Sequence, residues 1–392
     1  MKRLFEKKWS CVLAGALAGA LVMSAALLIA MGGASGLRTA LKLGAILRIF
    51  DTQFVADYDD DLVRDSVMAG AVSGLDDRWS YYMTAEEYDA YQDYAANRYQ
   101  GIGVTIQKDE DSGGFLVTAV TKDGPAMLAG ILPGDILLGV DGVSVVGGEG
   151  EDLRALIQAD FGGEALVMLR HEDGSEEEIP VSCEEIFSSP VTNELLEDGT
   201  GYVAILNFRD GAANEAVAAI EELLDQGAER LVFDVRNDPG GQLTELVALL
   251  DNLLPEGDLF IRADRQGREG VEVSDATCLD MPMAVVVNGD SYSAAEFFAA
   301  ALQEYDWAVV VGEPTTGKAR SQITVAQADG SAVHLSKYSY LTPNGTDLYE
   351  AGGIVPDVEI ALDEEERQLF DSGWMTPGED PQIQAAIEAL TS

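Results

Sequence analysis

At 392 residues and 47% hydrophobic content, the chain has the length for two or more domains and enough apolar mass for a full core. Its 69 acidic residues against 24 basic ones give a formal net charge of −45, which excludes nucleic acid and an anionic membrane surface as partners of the soluble part, since both would repel it. A well-solvated surface accounts for that acidity, and three cysteines without paired ligand spacing argue against a metal site; no cofactor is expected.

The amino terminus departs from the acidity. Lys2, Arg3, Lys7 and Lys8 precede an uncharged run from Cys11 to Met31 that is long enough to cross a bilayer as a helix. Residues 1–10 therefore read as a basic cytoplasmic end and 11–31 as a single transmembrane anchor in the cell membrane, with the acidic bulk extracytoplasmic. A cleaved signal peptide is the alternative, because Gly32-Gly33-Ala34-Ser35 approximates a small-residue cleavage site; the apolar run exceeds a usual signal core. Residues 37–98 read as a helical region, with Ile46, Phe50, Phe54 and Tyr58 at helical spacing.

Residues 99–185 form the next unit. Gly101-Ile102-Gly103-Val104 is a loop running into a strand, and Leu132-Pro133-Gly134-Asp135 follows at a set distance. The pair resembles the core motif of PDZ domains, which add an extended peptide as an edge strand and hold its terminal carboxylate on backbone N–H groups. The resemblance implies that Gly101, Ile102, Gly103 and Val104 bind a peptide C-terminus. Cys183 and Cys278 lie in the exported part, and their pairing is left open.

Residues 186–392 alternate strands and helices: Tyr202 to Leu206, Asn214 to Leu224, Leu231 to Val235 and Leu243 to Leu254, then the runs Met283 to Val287 and Trp307 to Val311. This is an α/β pattern. Pro239-Gly240-Gly241 ends the strand at Leu231 to Val235, and without a Cβ such a turn lets the backbone approach a substrate. Its free N–H groups, Gly240 or Gly241, with that of Ala294, suit the developing oxyanion of an acyl transfer; an ordinary Pro-Gly turn is the plainer alternative. Ser293 stands in a strand-to-helix turn, Asn288 to Glu296, and Lys318 follows in Gly312-Glu313-Pro314-Thr315-Thr316-Gly317-Lys318. A serine hydroxyl needs a base, and a lysine serves if burial keeps its amine neutral, so the two read as a Ser-Lys dyad. Singly, a helix-capping serine and a solvated turn lysine would be commoner readings. His171 and His334 have no motif around them, which leaves a Ser-His-Asp triad little support.

Together the stretches Asp234 to Gly241, Ser291 to Glu296, Val311 to Gln322, Tyr340 to Gly345 and Gly353 to Asp357 resemble, in order and spacing, the carboxyl-terminal processing peptidases or tail-specific proteases. The likeness runs from about residue 45 to the end. It implies a crotonase-like βαβ protease core over 186–392 with a C-terminal helix, an inserted PDZ domain, Ser293 as nucleophile, Lys318 as general base and Gln322 as the residue that orients the lysine. The segment Leu75 to Met83 resembles the family's turn after the N-terminal helices and is expected to do nothing but pack. Two departures stand out: Ser291-Tyr292 before the nucleophile, expected to narrow the entrance, and Ala319-Arg320-Ser321 after the lysine, with Arg320 expected to alter the subsite beside the base.

The sequence thus predicts a membrane-anchored serine endopeptidase acting on unfolded or extended C-terminal regions of proteins. Its expected partners are protein or peptide substrates through their C-termini and a membrane through the N-terminal helix, with a homodimer left open. A non-catalytic PDZ scaffold is the alternative from another class, and intact Ser293, Lys318 and Gln322 speak against it. A crotonase-like acyl-CoA enzyme would leave the PDZ unit unexplained.

Overall fold

The computed structural model describes residues 22–26, 28–29 and 31–391. Most of the run 11–31, expected to span a membrane, lies outside these residues. Among the described residues no helix is long and apolar enough to cross a membrane. Residues up to Val67 form one compact unit and Met68–Ser392 another.

In the first unit, helix Gly33–Gln53 ends just before Phe54, so the helical spacing read through Tyr58 overruns the helix. Phe50 and Phe54 instead each meet the Tyr58 ring edge-on, with centroids 6.1 Å apart, and Tyr58 hydroxyl donates to Asp51. No residue of Gly33–Gln53, or of the next helix Asp60–Ser73, is buried. Nor is 37–98 helical throughout. Strand Tyr81–Met83 interrupts it before helix Ala85–Ala95, which Thr84 and Glu87 close with a reciprocal capping box.

The centre of the larger unit is a six-stranded sheet in the order Val191–Leu195, Thr200–Ile205, Arg230–Asp234, Met283–Val287, Ala308–Gly312, Val358–Glu359. The first pair is antiparallel and the rest parallel. Its inner strands are near-continuous apolar runs, as strands covered on both faces must be. Alternation sorts the two faces. Leu231, Phe233, Met283, Val285 and Val287 pack with helices Ala212–Gln226, Leu243–Leu253 and Ala294–Glu304, while Val232, Ala284 and Val286 meet Ile383 and Ala386 of the last helix, Pro381–Thr391. Asp380 caps that helix by accepting from the N–H groups of Gln382 and Ile383. It also shares the buried Arg236 guanidinium with Asp234, at 2.7 and 2.6 Å, which ties the chain end to the central strand.

The parallel topology puts three turns side by side. Arg230–Asp234, Met283–Val287 and Ala308–Gly312 are adjacent, and their carboxyl ends lead into Pro239–Gly241, Ser293 and Lys318 respectively. Carboxyl ends of parallel strands are where α/β sheets place their ligands. A second sheet closes over this edge: Ala332–Leu341 pairs antiparallel with Tyr81–Met83, Gly257–Ala263 and Arg320–Ala326. That sheet was not foreseen from the strand-helix alternation.

A separate antiparallel sheet of strands Val104–Lys108, Phe115–Val120, Ile136–Val140, Glu164–Arg170 and Glu176–Ser182 carries helices Pro125–Ala129 and Gly150–Ala159 around its own core of Ile102, Phe115, Leu137, Leu153 and Leu169. The chain enters and leaves it through one antiparallel pair, Arg98–Gly101 with Glu184–Phe187. Cys183 is buried here, Cys278 is exposed elsewhere, and both are free thiols.

Candidate active site

Ser293 sits at the junction of strand and helix with φ 61° and ψ −121°. A non-glycine residue at positive φ is uncommon, and such strain persists only where the surroundings over-determine it. Here they do. Ser291, fully buried, donates its hydroxyl to Val235 carbonyl at 2.7 Å and accepts from Asn288 N–H at 3.0 Å, so its oxygen belongs to the turn's framework. Tyr292 N–H donates to Asp238 carbonyl at 3.0 Å. The half-buried Ser293 side chain is left on the wall of a cleft of about 520 Å³.

Glu296 holds the serine turn to the lysine turn. It is fully buried, and one carboxylate oxygen accepts from Thr315 hydroxyl (2.5 Å) and Gly317 N–H (2.6 Å), the other from Ser293 N–H (2.9 Å) and Lys318 N–H (2.8 Å). Thr315 passes the link on, its Oγ1 accepting from Ile354 N–H at 2.8 Å. Gly317, at φ 80°, has no room for a Cβ, which would fall 2.8 Å from Gly353 nitrogen. The spacing of Ser293 and Lys318 in the fold is therefore set by one side chain, quoted in the sequence motif without a role. An acid three residues into an otherwise apolar helix start was the available signal.

Lys318 amine lies in the same cleft, 4.1 Å above the Trp79 ring and 5.3 Å from that of Tyr292. Burial lowers its pKa from the ordinary 10.5 to about 8; Glu296 pulls it up, Arg78 pushes it down and Asp77 pulls it up. Among the described residues no hydrogen bond joins the amine to Ser293. Gln322 shares the cleft too, but its amide donates to Arg320 carbonyl (3.0 Å) and Ser336 hydroxyl (3.2 Å). Trp79 corrects the reading of Leu75 to Met83 as mere packing: the segment supplies the lysine's aromatic floor. Tyr292 lines the cleft, 5.8 Å from Trp79. Arg320 does not line the cleft; its guanidinium stacks 5.1 Å over Tyr349.

His334, which no motif singled out, also reaches the cleft. It stacks on Tyr81 at 4.8 Å and meets Tyr91 at 5.5 Å, and its Nδ1 pairs with Thr324 hydroxyl at 2.9 Å. Burial, then the Lys318 charge, lowers its pKa to about 4, so it is a weaker base than the lysine. No carboxylate orients it among the described residues. His171 lies just after strand Glu164–Arg170 of the PDZ-like sheet, between Asp135 and Glu177 at 2.8 Å from each.

On the other side of Ser293 stands the glycine turn. Gly240, at φ 82°, is so close that a Cβ would lie 2.7 Å from Ala294 nitrogen and 2.9 Å from Ser293 Cβ. Its own N–H is committed to Asp238 Oδ1 at 2.6 Å. The N–H groups of Gly241 and Ala294 have no partner among the described residues. Asp238 is fully buried with Oδ2 unpaired, and burial raises its pKa well above the carboxylate range, against the pull of Gly240 N–H and Arg209.

A model of peptidase family S41 matches residues 199–360, and a PDZ domain model matches 116–170. The chain is 30% identical over 325 residues to a CtpA-like serine protease of Staphylococcus epidermidis, covering 82% of this chain and 65% of that one. It is 29% identical over 316 residues to the carboxy-terminal processing protease CtpA of Bacillus subtilis, covering 79% and 67%. Residues 199–360 belong to peptidase family S41. A crystal structure of an S41-type protein from Bacteroides fragilis shares the fold at a TM-score of 0.58 with 18% identity, over 86% of this chain and 92% of that one. The chain spans about two thirds of the length of these curated relatives, 65% in the first case.

The PDZ domain opens a second groove, about 580 Å³, between strand Val104–Lys108 and helix Gly150–Ala159. Gly101, Ile102, Gly103 and Val104 line its end, over an apolar floor of Phe115, Leu153 and Ile157. Gly103 takes φ 84°, and its carbonyl accepts from Thr121 N–H at 2.9 Å while that of Ile102 accepts from Ala126 N–H at 2.8 Å.

Proposed function

We propose that the chain is a serine endopeptidase that cuts extended or unfolded polypeptide near its C-terminus. Ser293 is the nucleophile, Lys318 the general base, the N–H groups of Gly241 and Ala294 the oxyanion donors, and the groove at Gly101 to Val104 the reader of the substrate's end. One observation carries this reading: a serine held at φ 61° stands between a free pair of N–H groups and a lysine with a depressed pKa, on turns from three adjacent strands.

The chemistry follows from those positions. The neutral amine of Lys318 takes the Ser293 Oγ proton as that oxygen attacks the scissile carbonyl carbon, and the carbonyl oxygen, now negative, meets Gly241 and Ala294 N–H. Collapse expels the amine leaving group, which receives the proton from the Lys318 ammonium. Water then attacks the acyl ester, giving its proton to Lys318, and the departing Ser293 oxygen is reprotonated from it. For the first step the amine must leave the Trp79 ring for the hydroxyl, which a flexible four-carbon stem permits. Gln322, on the same wall, would hold it there. Of the two glycines, Gly241 is preferred because Gly240 already donates to Asp238.

Ser293→Ala is expected to lose labelling by a serine-directed fluorophosphonate and to cut an unfolded reporter at least about 10⁴-fold more slowly. Wild-type labelling and cleavage by Ser293→Ala, with loss in Ser291→Ala, would overturn the assignment. The run Cys11 to Met31 is proposed as the tether to a membrane on its length and lack of charge. The full chain should then sediment with membranes through an alkaline wash; recovery in the supernatant would contradict that.

A further inference from the structure

The cleft at Ser293 is chemically unlike the rest of the molecule. Although 69 of the 392 residues are acidic, among the described residues not one Asp or Glu lines this cleft. Its charged members are Lys318 and Arg209, set among Trp79, Tyr81, Tyr94 and Tyr292. Lys318 has a part in the proposed chemistry; Arg209 has none so far.

Arg209 is half-buried and makes no ion pair among the described residues, in a chain where carboxylates are abundant. Its guanidinium lies 3.3 Å from the Tyr94 ring centroid, and Nη1 makes a long hydrogen bond of 3.5 Å to Asn97 Oδ1. The neighbouring acid is turned away: Asp210 carboxylate accepts from Gln242 side chain, and Asp210 N–H donates to Ala95 carbonyl at 3.1 Å. Asp238, whose field reaches Arg209, keeps its carboxyl behind Gly240 and forms no ion pair with it. The backbone under Arg209 is fixed, because Phe208 N–H donates to Gly240 carbonyl at 3.0 Å and Arg209 N–H to Asn207 Oδ1 at 3.0 Å. The guanidinium is thus anchored beside the glycine turn, with one face on an aromatic ring and most of its donors unused.

We infer that Arg209 is a substrate subsite for a carboxylate, next to the scissile bond. This deepens the endopeptidase reading and rests on it. A planar guanidinium offers two parallel N–H donors that match a carboxylate, and stacking on Tyr94 presets their direction. No acidic side chain lines the cleft among the described residues, so the incoming carboxylate meets acidic groups only behind its wall, and partial burial strengthens the attraction over what water allows. The carboxylate has two sources: an acidic side chain close to the cut, or the free C-terminus of the polypeptide being processed.

The test uses the full chain carrying Ser293→Ala, so that binding is read without turnover, with and without Arg209→Gln. Isothermal titration measures one extended peptide with a single Glu walked through the positions around the cut, its Gln counterparts, and each with a free or amidated end. We expect one Glu position to bind about tenfold tighter than Gln, or the free end about tenfold tighter than the amidated one, with that ratio falling to near one in Arg209→Gln. The ratio that collapses names the source. Arg209→Lys should keep only part of it, since charge survives without the fork. A terminal preference that survives Arg209→Gln belongs to the PDZ groove. If every ratio is the same with and without Arg209, the subsite is overturned, and a merely structural Arg209 would weaken Glu and Gln peptides alike. Cleavage of the same peptides by the chain with Ser293 intact judges the endopeptidase reading separately, since failure to cut leaves the binding ratios unchanged.

Discussion

Two fully buried carboxyl groups flank Ser293, and they are treated in opposite ways. On the Lys318 side Glu296 accepts four hydrogen bonds, from Ser293, Thr315, Gly317 and Lys318. On the side of the glycine turn Asp238 accepts one, from Gly240, and its second oxygen has no partner among the described residues. A buried carboxylate is tolerable when its lone pairs are filled and costly when they are not. The Lys318 side is therefore a pinned unit that fixes the distance between two turns, whereas the side of the glycine turn holds a group that burial pushes toward its neutral form. One side carries the geometry, and the other carries a carboxyl group whose pKa burial raises.

Breaking the pinned side should cost most. Glu296→Ala leaves four donors without their acceptor, three of them backbone N–H groups, and is expected to destabilise the fold by about 3 kcal/mol or more. Freed of its tie, the Lys318 turn shifts relative to Ser293, and reporter cleavage should fall by about a hundredfold or more in the fraction that still folds. Chemical denaturation and a rate per folded molecule measure the two separately. Near-normal values in both would remove Glu296 from the account.

Changing the other side should cost little and alter a pH dependence instead. The folded pKa of Asp238 is raised above its unfolded value of about 3.9, so the native state binds the proton more tightly. Stability from this group is then full below about pH 4 and is lost as pH rises toward the folded pKa. Asp238→Asn keeps an acceptor for Gly240 N–H without a titrating proton. It should match the wild type near pH 4, exceed it by about 1 kcal/mol at neutral pH, and lack the downward slope between. Parallel stability curves for the two proteins would show that Asp238 is not a buried neutral acid.

The same contrast explains what the sequence disclosed. Ser293, Lys318 and the PDZ loop were legible because each lies in a short motif of small residues, whose turns demand glycine or a cap at given positions. Strand Met283–Val287 was read to the residue, since a five-residue apolar run between turn signals leaves few alternatives. What was hidden depends on residues far apart in the chain. Trp79 meets Lys318 only because strand Tyr81–Met83 pairs with Ala332–Leu341, and no local pattern announces that pairing. His334 enters the cleft on the same sheet. Burial of Asp238 and the lone state of Arg209 are likewise properties of the assembled edge of the sheet, invisible in the turn residues themselves. The helical spacing at Ile46 to Tyr58 misled because aromatic residues after a helix end can keep its period while packing on their own neighbours.

The central claim, that Lys318 is the base, is tested most directly by the pH dependence of kcat/KM for an unfolded reporter, measured with the full chain across its range of stability. With the amine's pKa at about 8, the rate should rise tenfold per pH unit below that value, follow a single ionisation and level off above it. Lys318→Arg, which keeps the charge but cannot release the proton, should show no such limb and almost no rate at any pH. A wild-type rate already level at pH 6, set by a group near 4, would contradict the account and move the proton to His334.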